Sequence, residues 1–531
     1  MLRLKAYIAL TKLYYEFMNQ GKKSKIKAKT HYANAAVAGL FVLAFAILGL
    51  DYYASVLGIA TQAIIALATL LISGTLIQRL KSLNGGYGLY MFGGKRGIKA
   101  VDRISKKNLA FWKSMPVWGI VLGFGLLAYP LLKGRIDKRL FAFSIVSLLL
   151  FLYFIVPCTA LPLQFVNIPQ LQGIAGSASA ECIPSFSGLT SYGYLVYGIT
   201  LVSGFSGFII FSLMYNAASV LFNTVSYAFS VYSGAPQASL LTSQVPGVAP
   251  VIPGIDIPLI AGILALVIIL TIHEMSHGVL ARIAKVKLKQ IGVLLFGVIP
   301  IGAFVEPDER AVLKLDKGKQ NAISAAGISS NFIAAIVFFL LMFSMFIFIV
   351  PTIYYNKGVF INGVIPNTPS NGILAAGEQI IYWNGQKISN ITDLETAGQS
   401  DMPGSVVRVA ILSKGCSAPS GLACGALNYS IPAVSLNGSQ RGYIGITAIQ
   451  EEAVSNTAYA KAAYFLYTLF SLSFLLNFLV AIVNLLPIPG FDGWRLYKTN
   501  IRSSAVVRAV TVIIVLGLIL NTLPWLYIAL L

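Results

Sequence analysis

Residues 257–280 read IPLIAGILALVIILTIHEMSHGVL, and two features of that stretch govern the reading of the rest. It is an apolar run long enough to cross a bilayer, which takes about 20 residues. It also carries His273-Glu274-Met275-Ser276-His277. On a helix, positions i and i+4 share one face, so both imidazoles can reach one metal ion. Glu274 stands beside them, placed to take a proton from water. The chain has 3 histidines, and two of them are here. At this composition such a pattern arises by chance about three times in ten thousand chains of this length. Ionisable groups inside a membrane span are costly and usually functional.

The surroundings extend that reading. Mean hydropathy is +0.78 and charged residues are 11% of the chain. That composition excludes an ordinary soluble globule and indicates a polytopic helical membrane protein. Leu140 to Ala281 holds no Lys or Arg, and Glu181 and Asp256 are its only carboxylates before the motif. The formal net charge of +21 invites a nucleic-acid reading. Its basic residues cluster in short loops between apolar runs, however, as the positive-inside rule expects, so no nucleic-acid partner is inferred.

Apolar segments able to span lie at 35–50, 54–78, 114–132, 139–157, 191–232, 257–281, 322–351, 459–486 and 504–530. That gives about nine transmembrane segments. The 191–232 stretch accommodates one long helix with a re-entrant piece, or two helices. Residues 1–33 are a basic N-terminal segment with no cleavable signal peptide apparent, and 34–250 form an additional N-terminal transmembrane region. Residues 257–351 are the first part of a membrane core, and 459–531 its second part with the last span.

Arg282, Lys285, Lys287 and Lys289 follow the motif helix and place its C-terminal end on the inner side. Lys314, Lys317 and Lys319 precede the next span, which leads out to a soluble region at 355–450. The sequons at Asn390, Asn428 and Asn437 all fall there. The first half does not orient cleanly, because both 79–108 and 133–139 are basic. Residues 355–450 alternate in short segments, with Asn384-Gly385 as a turn and 406–412 as a strand, and read as a small mostly-β domain. Cys158 and Cys182, and Cys416 and Cys424, fall in pairs in outside segments, where two local disulfides or free thiols are equally compatible with the sequence.

Two histidines do not make a zinc site, since a catalytic zinc takes three protein ligands and keeps one position for water. The third-ligand candidate is Asp492, in Asn484-Leu-Leu-Pro-Ile-Pro-Gly-Phe-Asp492-Gly493. The preceding span runs inward and ends at this turn, near the depth of the histidines. The alternative for Asp492 is an N-cap of a short helix starting at Trp494.

These two motifs together resemble the site-2 protease family of intramembrane zinc metalloproteases. The resemblance covers about 257–503 and leaves the first 250 residues unexplained. The family's second motif usually reads Leu-Asp-Gly; Phe491 is a departure that keeps the ligand. Gly327 and Asn331 match a Gly-x-x-x-Asn-type motif of the intervening span. Gly363-Val-Ile-Pro-Asn-Thr-Pro-Ser, Ala376-Gly377-Glu378, Trp383-Asn384-Gly385 and Gly442-Tyr-Ile-Gly-Ile resemble PDZ segments.

The resemblance implies one Zn2+ held by His273, His277 and Asp492, with Glu274 as general base. Asn484 is expected to bind substrate backbone or an oxyanion, or else to pack at a helix end. Asn331 is a candidate for the same substrate or oxyanion role, with interhelical hydrogen bonding beside Gly327 the favoured expectation. Residues 291–305, apolar and broken by glycine, are expected to form a re-entrant β segment that could hold an unwound substrate. The implied partners are membrane-anchored protein substrates and the lipid bilayer, with the active site near the cytoplasmic face and the PDZ-like domain outside. A relict membrane scaffold, and a multispan zincin cutting soluble or membrane-surface peptides, are the alternatives.

Overall fold

The computed structural model describes residues 33–50, 59–95, 97–132, 137–156, 191–234, 251–254, 256–413, 425–435 and 441–530, with isolated positions at 158, 162–163, 237, 239–242 and 247–248. The N-terminal basic segment, Cys182, Cys416, Cys424 and Asn437 lie outside the described residues. Cys158 is disulfide-bonded. Among the described residues, 9 helices are long and apolar enough to cross a membrane. Their sequences are Leu-, Ile-, Val- and Phe-rich with small residues between, which lets a helix satisfy its own backbone while showing an apolar surface to lipid. Two compact units result: one reaches Phe339 and resumes at Leu469, and the other is Leu340–Thr468.

The first unit holds the motif helix, Leu259–Ile283. It ends at Ala284, with Lys285 at φ 63 turning the chain into a β hairpin of Leu288–Phe296 and Ile299–Pro307. Gly297, at φ 59, makes the hairpin turn. The hairpin is half of a 4-stranded antiparallel sheet. The other half comes from far upstream, Gly85–Gly86 and Leu89–Gly94, with Leu89 opposite Phe296 and Gly94 opposite Ile291. The hydroxyl of buried Tyr90 donates to Gly297 O at 2.9 Å, and Gly297 N–H donates to Gly88 O at 3.0 Å. The helix Ile59–Lys81 lies against this turn so closely that a Cβ on Gly74 would fall 2.8 Å from Gly297 N.

At the far end of the hairpin, Lys289 and Gln290 hydrogen-bond Glu306, each at 2.9 Å. Those bonds hold the Glu306 carboxyl below its ordinary pKa range. The hairpin, the motif helix and the helix Ile98–Ile104 share a core of Val101, Val279, Ala281, Leu288 and Val305. Arg282 at the end of the motif helix also pairs with Asp102 at 2.5 Å.

The helix Ser191–Tyr232 is 42 residues long and is broken at Gly204, where φ is 65 and ψ −167. It is therefore two helical segments meeting at a kink. The helix Leu109–Phe124 also stops at a positive-φ glycine, Gly125. The two breaks touch: a Cβ on Gly204 would lie 2.3 Å from Gly123 C, and one on Gly125 would lie 2.4 Å from Leu201 O. Only glycine combines that close approach with that backbone. Beside the kink, Phe151, Phe205, Phe332 and Phe478 pack with ring centroids 5.3–6.3 Å apart. That cluster joins upstream helices to Lys317–Phe348 and Ala458–Val483.

The second unit contains an antiparallel sheet in the order Ile446–Val454, Tyr354–Val364, Gln379–Trp383, Val406–Leu412, Leu427–Pro432. Asn384 and Gly385, both at positive φ, turn Gln379–Trp383 into Gln386–Lys387, as an Asn-Gly hairpin demands. A helix, Ile391–Gly398, starts at Asn390 with a capping box closed by Asp393. Val359, Ile361, Ile380, Val407, Ile411 and Ile431 fill the core.

Candidate metal centre

His273 and His277 project from the second half of the motif helix at the i, i+4 spacing. Asp492 reaches them from 215 residues downstream of His277. The helix Ala458–Val483 gives way to a turn through Asn484, Pro487 and Pro489. Gly493 N–H donates to Asn484 O at 2.7 Å and closes that turn. A Cβ on Gly493 would meet Leu485 O at 2.4 Å, so closure needs glycine there. A short helix, Asp492–Asn500, follows, with Phe491 as its N-cap residue and Asp492 as its first residue. Asp492 therefore does not cap the helix, and its carboxylate turns to the histidines.

Three ligand atoms converge. His277 Nε2 lies 3.1 Å from Asp492 Oδ2, His273 Nε2 lies 3.3 Å from the same oxygen, and the two Nε2 atoms are 3.3 Å apart. The side chains are 10%, 12% and 12% exposed for His273, His277 and Asp492. The triangle fits a small ion: bonds of about 2.0–2.1 Å in tetrahedral geometry set ligand atoms about 3.3 Å apart. His277 Nδ1–H donates to Ile323 O at 2.7 Å, which leaves Nε2 as a bare acceptor facing the carboxylate oxygen. Two acceptors at that distance require a proton or a cation between them. Among the described residues this is the one cluster of three His, Cys, Asp or Glu side chains disposed to hold a metal ion.

The helix Lys317–Phe348 supplies the wall. A Cβ on Gly327 would lie 2.4 Å from His273 Nε2 and 2.5 Å from His277 Nε2, so this position must be glycine for both rings to sit where they do. Asn331, fully buried, faces His273 Nδ1 at 3.1 Å. Its interhelical hydrogen bond is thus made to a ligand ring. Sequence reasoning marked both residues but missed Ile323, whose carbonyl is invisible in residue type.

Also missed was a clasp on the Asp492 helix: Asn321 Nδ2 donates to Asn500 Oδ1 at 3.1 Å, and Asn500 Nδ2 donates to Asn321 Oδ1 at 2.9 Å. Tyr497 on the same short helix shares a 2.7 Å hydrogen bond with Ser206.

Glu274, next to His273, reaches the sheet. Its Oε2 accepts from Val305 N–H at 2.9 Å. Ile299–Pro307 is a terminal strand of that sheet, so this N–H is an outward-facing group of an edge. Asn484, the expected oxyanion donor, spends its Nδ2 on Val480 O at 3.0 Å within its own helix. A cavity of about 620 Å3 adjoins the centre, lined by Pro307, Ile323, Ser324, Gly490, Trp494 and Lys498 among others.

Residues 261–521 match the model of Peptidase family M50. A curated relative, an uncharacterized protein of Methanocaldococcus jannaschii, is 29% identical over 243 residues, which is 46% of this chain. The alignment spans 57% of that relative's length, so the chain covers little more than half of it. Family M50 is a family of membrane metallopeptidases, and its members are zinc enzymes in general. Through residues 261–521 the chain is similar to peptidase family M50, the site-2 protease family.

Proposed function

We propose that the chain is an intramembrane zinc endopeptidase that cuts transmembrane segments of membrane-anchored protein substrates. The observation that carries this reading is the convergence of His273, His277 and Asp492 from helices remote in sequence onto one small triangle. His273 Nε2, His277 Nε2 and Asp492 Oδ2 would hold the ion. A zinc ion there would supply Lewis acidity, polarising a peptide carbonyl and acidifying a water.

The chain's own residues do the rest. Glu274 takes the proton of the attacking water and passes it to the leaving amine. Its carboxylate is aligned by Val305 N–H at the strand edge. A substrate helix hides its amides in its own hydrogen bonds, so it must unwind before attack. The terminal strand Ile299–Pro307 offers backbone groups to which an unwound segment can add as another strand. Asn484 sits at the helix end beside the Asp492 turn, and its amide oxygen and second N–H would bind substrate backbone.

The basic residues after the motif helix support a centre near the cytoplasmic face, with the β domain at 355–450 of the second unit outside. That unit's sheet with a helix across it supports a PDZ-like reading, in which it screens or binds substrates.

The test is zinc content of the detergent-purified protein beside Asp492→Ala and His273→Ala, with cleavage of a membrane-anchored reporter. One zinc per chain, lost in both variants, supports the reading. A folded wild type without zinc, or zinc indifferent to Asp492→Ala, refutes it.

A further inference from the structure

Ile323, Gly327 and Asn331 stand at four-residue steps along one face of the helix Lys317–Phe348. Opposite them stand His277 and His273, one turn apart on the motif helix. Each imidazole is met at its Nδ1 by this face, and Gly327 clears room between them for the Nε2 atoms.

The two meetings differ in kind. The Ile323 carbonyl can only accept, so it fixes one tautomer of His277, with the proton on Nδ1. Asn331 carries both a donor and an acceptor. As placed, its Nδ2 donates to a bare His273 Nδ1. His273 then carries its proton on Nε2, which lies 3.3 Å from Asp492 Oδ2. A ring in that tautomer has no Nε2 lone pair to lend to a metal. Meanwhile Asn331 Oδ1 is buried without any hydrogen-bond partner. Such an orphan costs about 1–3 kcal/mol. A half turn of the amide exchanges nitrogen and oxygen and offers that acceptor to a His273 Nδ1–H.

Building on the metal centre assigned above, we infer that Asn331 is a positioning residue that follows the tautomer of His273. Its amide nitrogen faces the ring when His273 Nε2 carries the proton beside Asp492, and its oxygen faces the ring when His273 Nε2 is given to the metal. Metal-ligating histidines almost always donate their other ring N–H to such an acceptor, and removing it typically weakens metal binding about 10–100-fold. Here one side chain serves both states because an amide, unlike a carbonyl, is two-faced.

The experiment is zinc affinity of the full-length protein in detergent, by competition with a chromophoric chelator, for wild type, Asn331→Leu and Asn331→Asp. The visible spectrum of the cobalt-substituted proteins reports ligand geometry independently of turnover. Asn331→Leu is expected to weaken zinc about 10–100-fold and to alter the cobalt spectrum. Asn331→Asp, which accepts from Nδ1–H in either orientation, is expected to bind zinc at least as tightly as wild type with an unchanged spectrum. Asn331→Leu binding like wild type overturns the inference while leaving the metal centre standing. Tenfold weaker binding in Asn331→Asp also overturns it, and that arm holds even if Asn331→Leu fails to fold. A wild type that binds no zinc overturns the centre and the inference together.

Discussion

Gly327→Ala adds one methyl group at the point where the two ligand rings meet. That carbon would sit 2.4 Å from Cε1 and Nε2 of His273 and 2.5 Å from Nε2 of His277. Unstrained contact between such atoms begins at about 3.4 Å, so at least one ring must retreat by about 1 Å. Functional constellations tolerate about 0.5 Å, and the displaced atoms are the donors themselves. Zinc affinity is expected to fall at least about 100-fold, beyond the usual effect of losing a supporting hydrogen bond.

The fold should suffer less. Overpacking costs about 1–3 kcal/mol, and Ala returns about 1 kcal/mol of helix propensity over Gly. The assay pairs zinc competition in detergent with thermal unfolding followed by circular dichroism. Gly198→Ala is the control, because its added carbon meets nothing within 4 Å. A Gly327→Ala protein that binds zinc within twofold of wild type would refute both the placement of the rings and the role given to that helix face.

Other expectations follow from the same geometry. Glu274→Gln should bind zinc normally and lose about 10²–10⁴-fold in reporter cleavage, measured as initial rate; cleavage that persists removes Glu274 as the base. Val305→Pro deletes the N–H that Glu274 accepts at an outward strand edge, where proline is tolerated. Zinc should stay and cleavage should fall, and an unchanged rate would show that this bond does not align the base. Asn321→Leu strands the Asn500 amide, at a cost of about 1–3 kcal/mol, and should loosen zinc through the Asp492 helix. A double-mutant cycle with Asn500→Leu that returns no coupling would sink that link. Gly204→Ala should destabilise the protein while leaving the metal-ligand spectrum alone, because its added carbon strikes Gly123 backbone at 2.3 Å and the residue sits at φ 65; a thermal midpoint equal to wild type would contradict the kink.

Much of the centre was legible because its information is local. His273, Glu274 and His277 declare themselves by spacing on one helix, and Asp492 by a Pro/Gly turn that stops a span near the same depth. The apolar runs mark helices because lipid enforces hydrogen-bond closure within each segment. The glycine-broken stretch 291–305 was recognisable as something other than a spanning helix, and it is a hairpin. What stayed hidden depends on partners far apart in sequence. Residue type does not show that Leu89–Gly94 pairs with Ile291–Phe296, or that Asn321 meets Asn500. The Ile323 carbonyl and the Val305 N–H are backbone groups that every sequence possesses. Gly204 is one of many glycines, and only its contact with Gly123 makes it a joint. Asn484 was legible as a polar residue at a helix end, but its bond to Val480 O depends on rotamer.

The upstream strand Leu89–Gly94 carries a practical lesson for anyone cutting this chain down to the region that matches the family. It covers one side of Leu288–Phe296 and leaves Ile299–Pro307 as the open margin beside Glu274. A fragment starting near residue 257 would bare a second, apolar margin on the opposite side. Two fragments could then zip together there, and substrate could settle on the wrong rail, away from the metal ligands. The upstream region is in this sense a chaperone written into the same polypeptide. The minimal folded unit is longer than the region that matches the family, and its boundary is drawn by hydrogen bonding across the sheet.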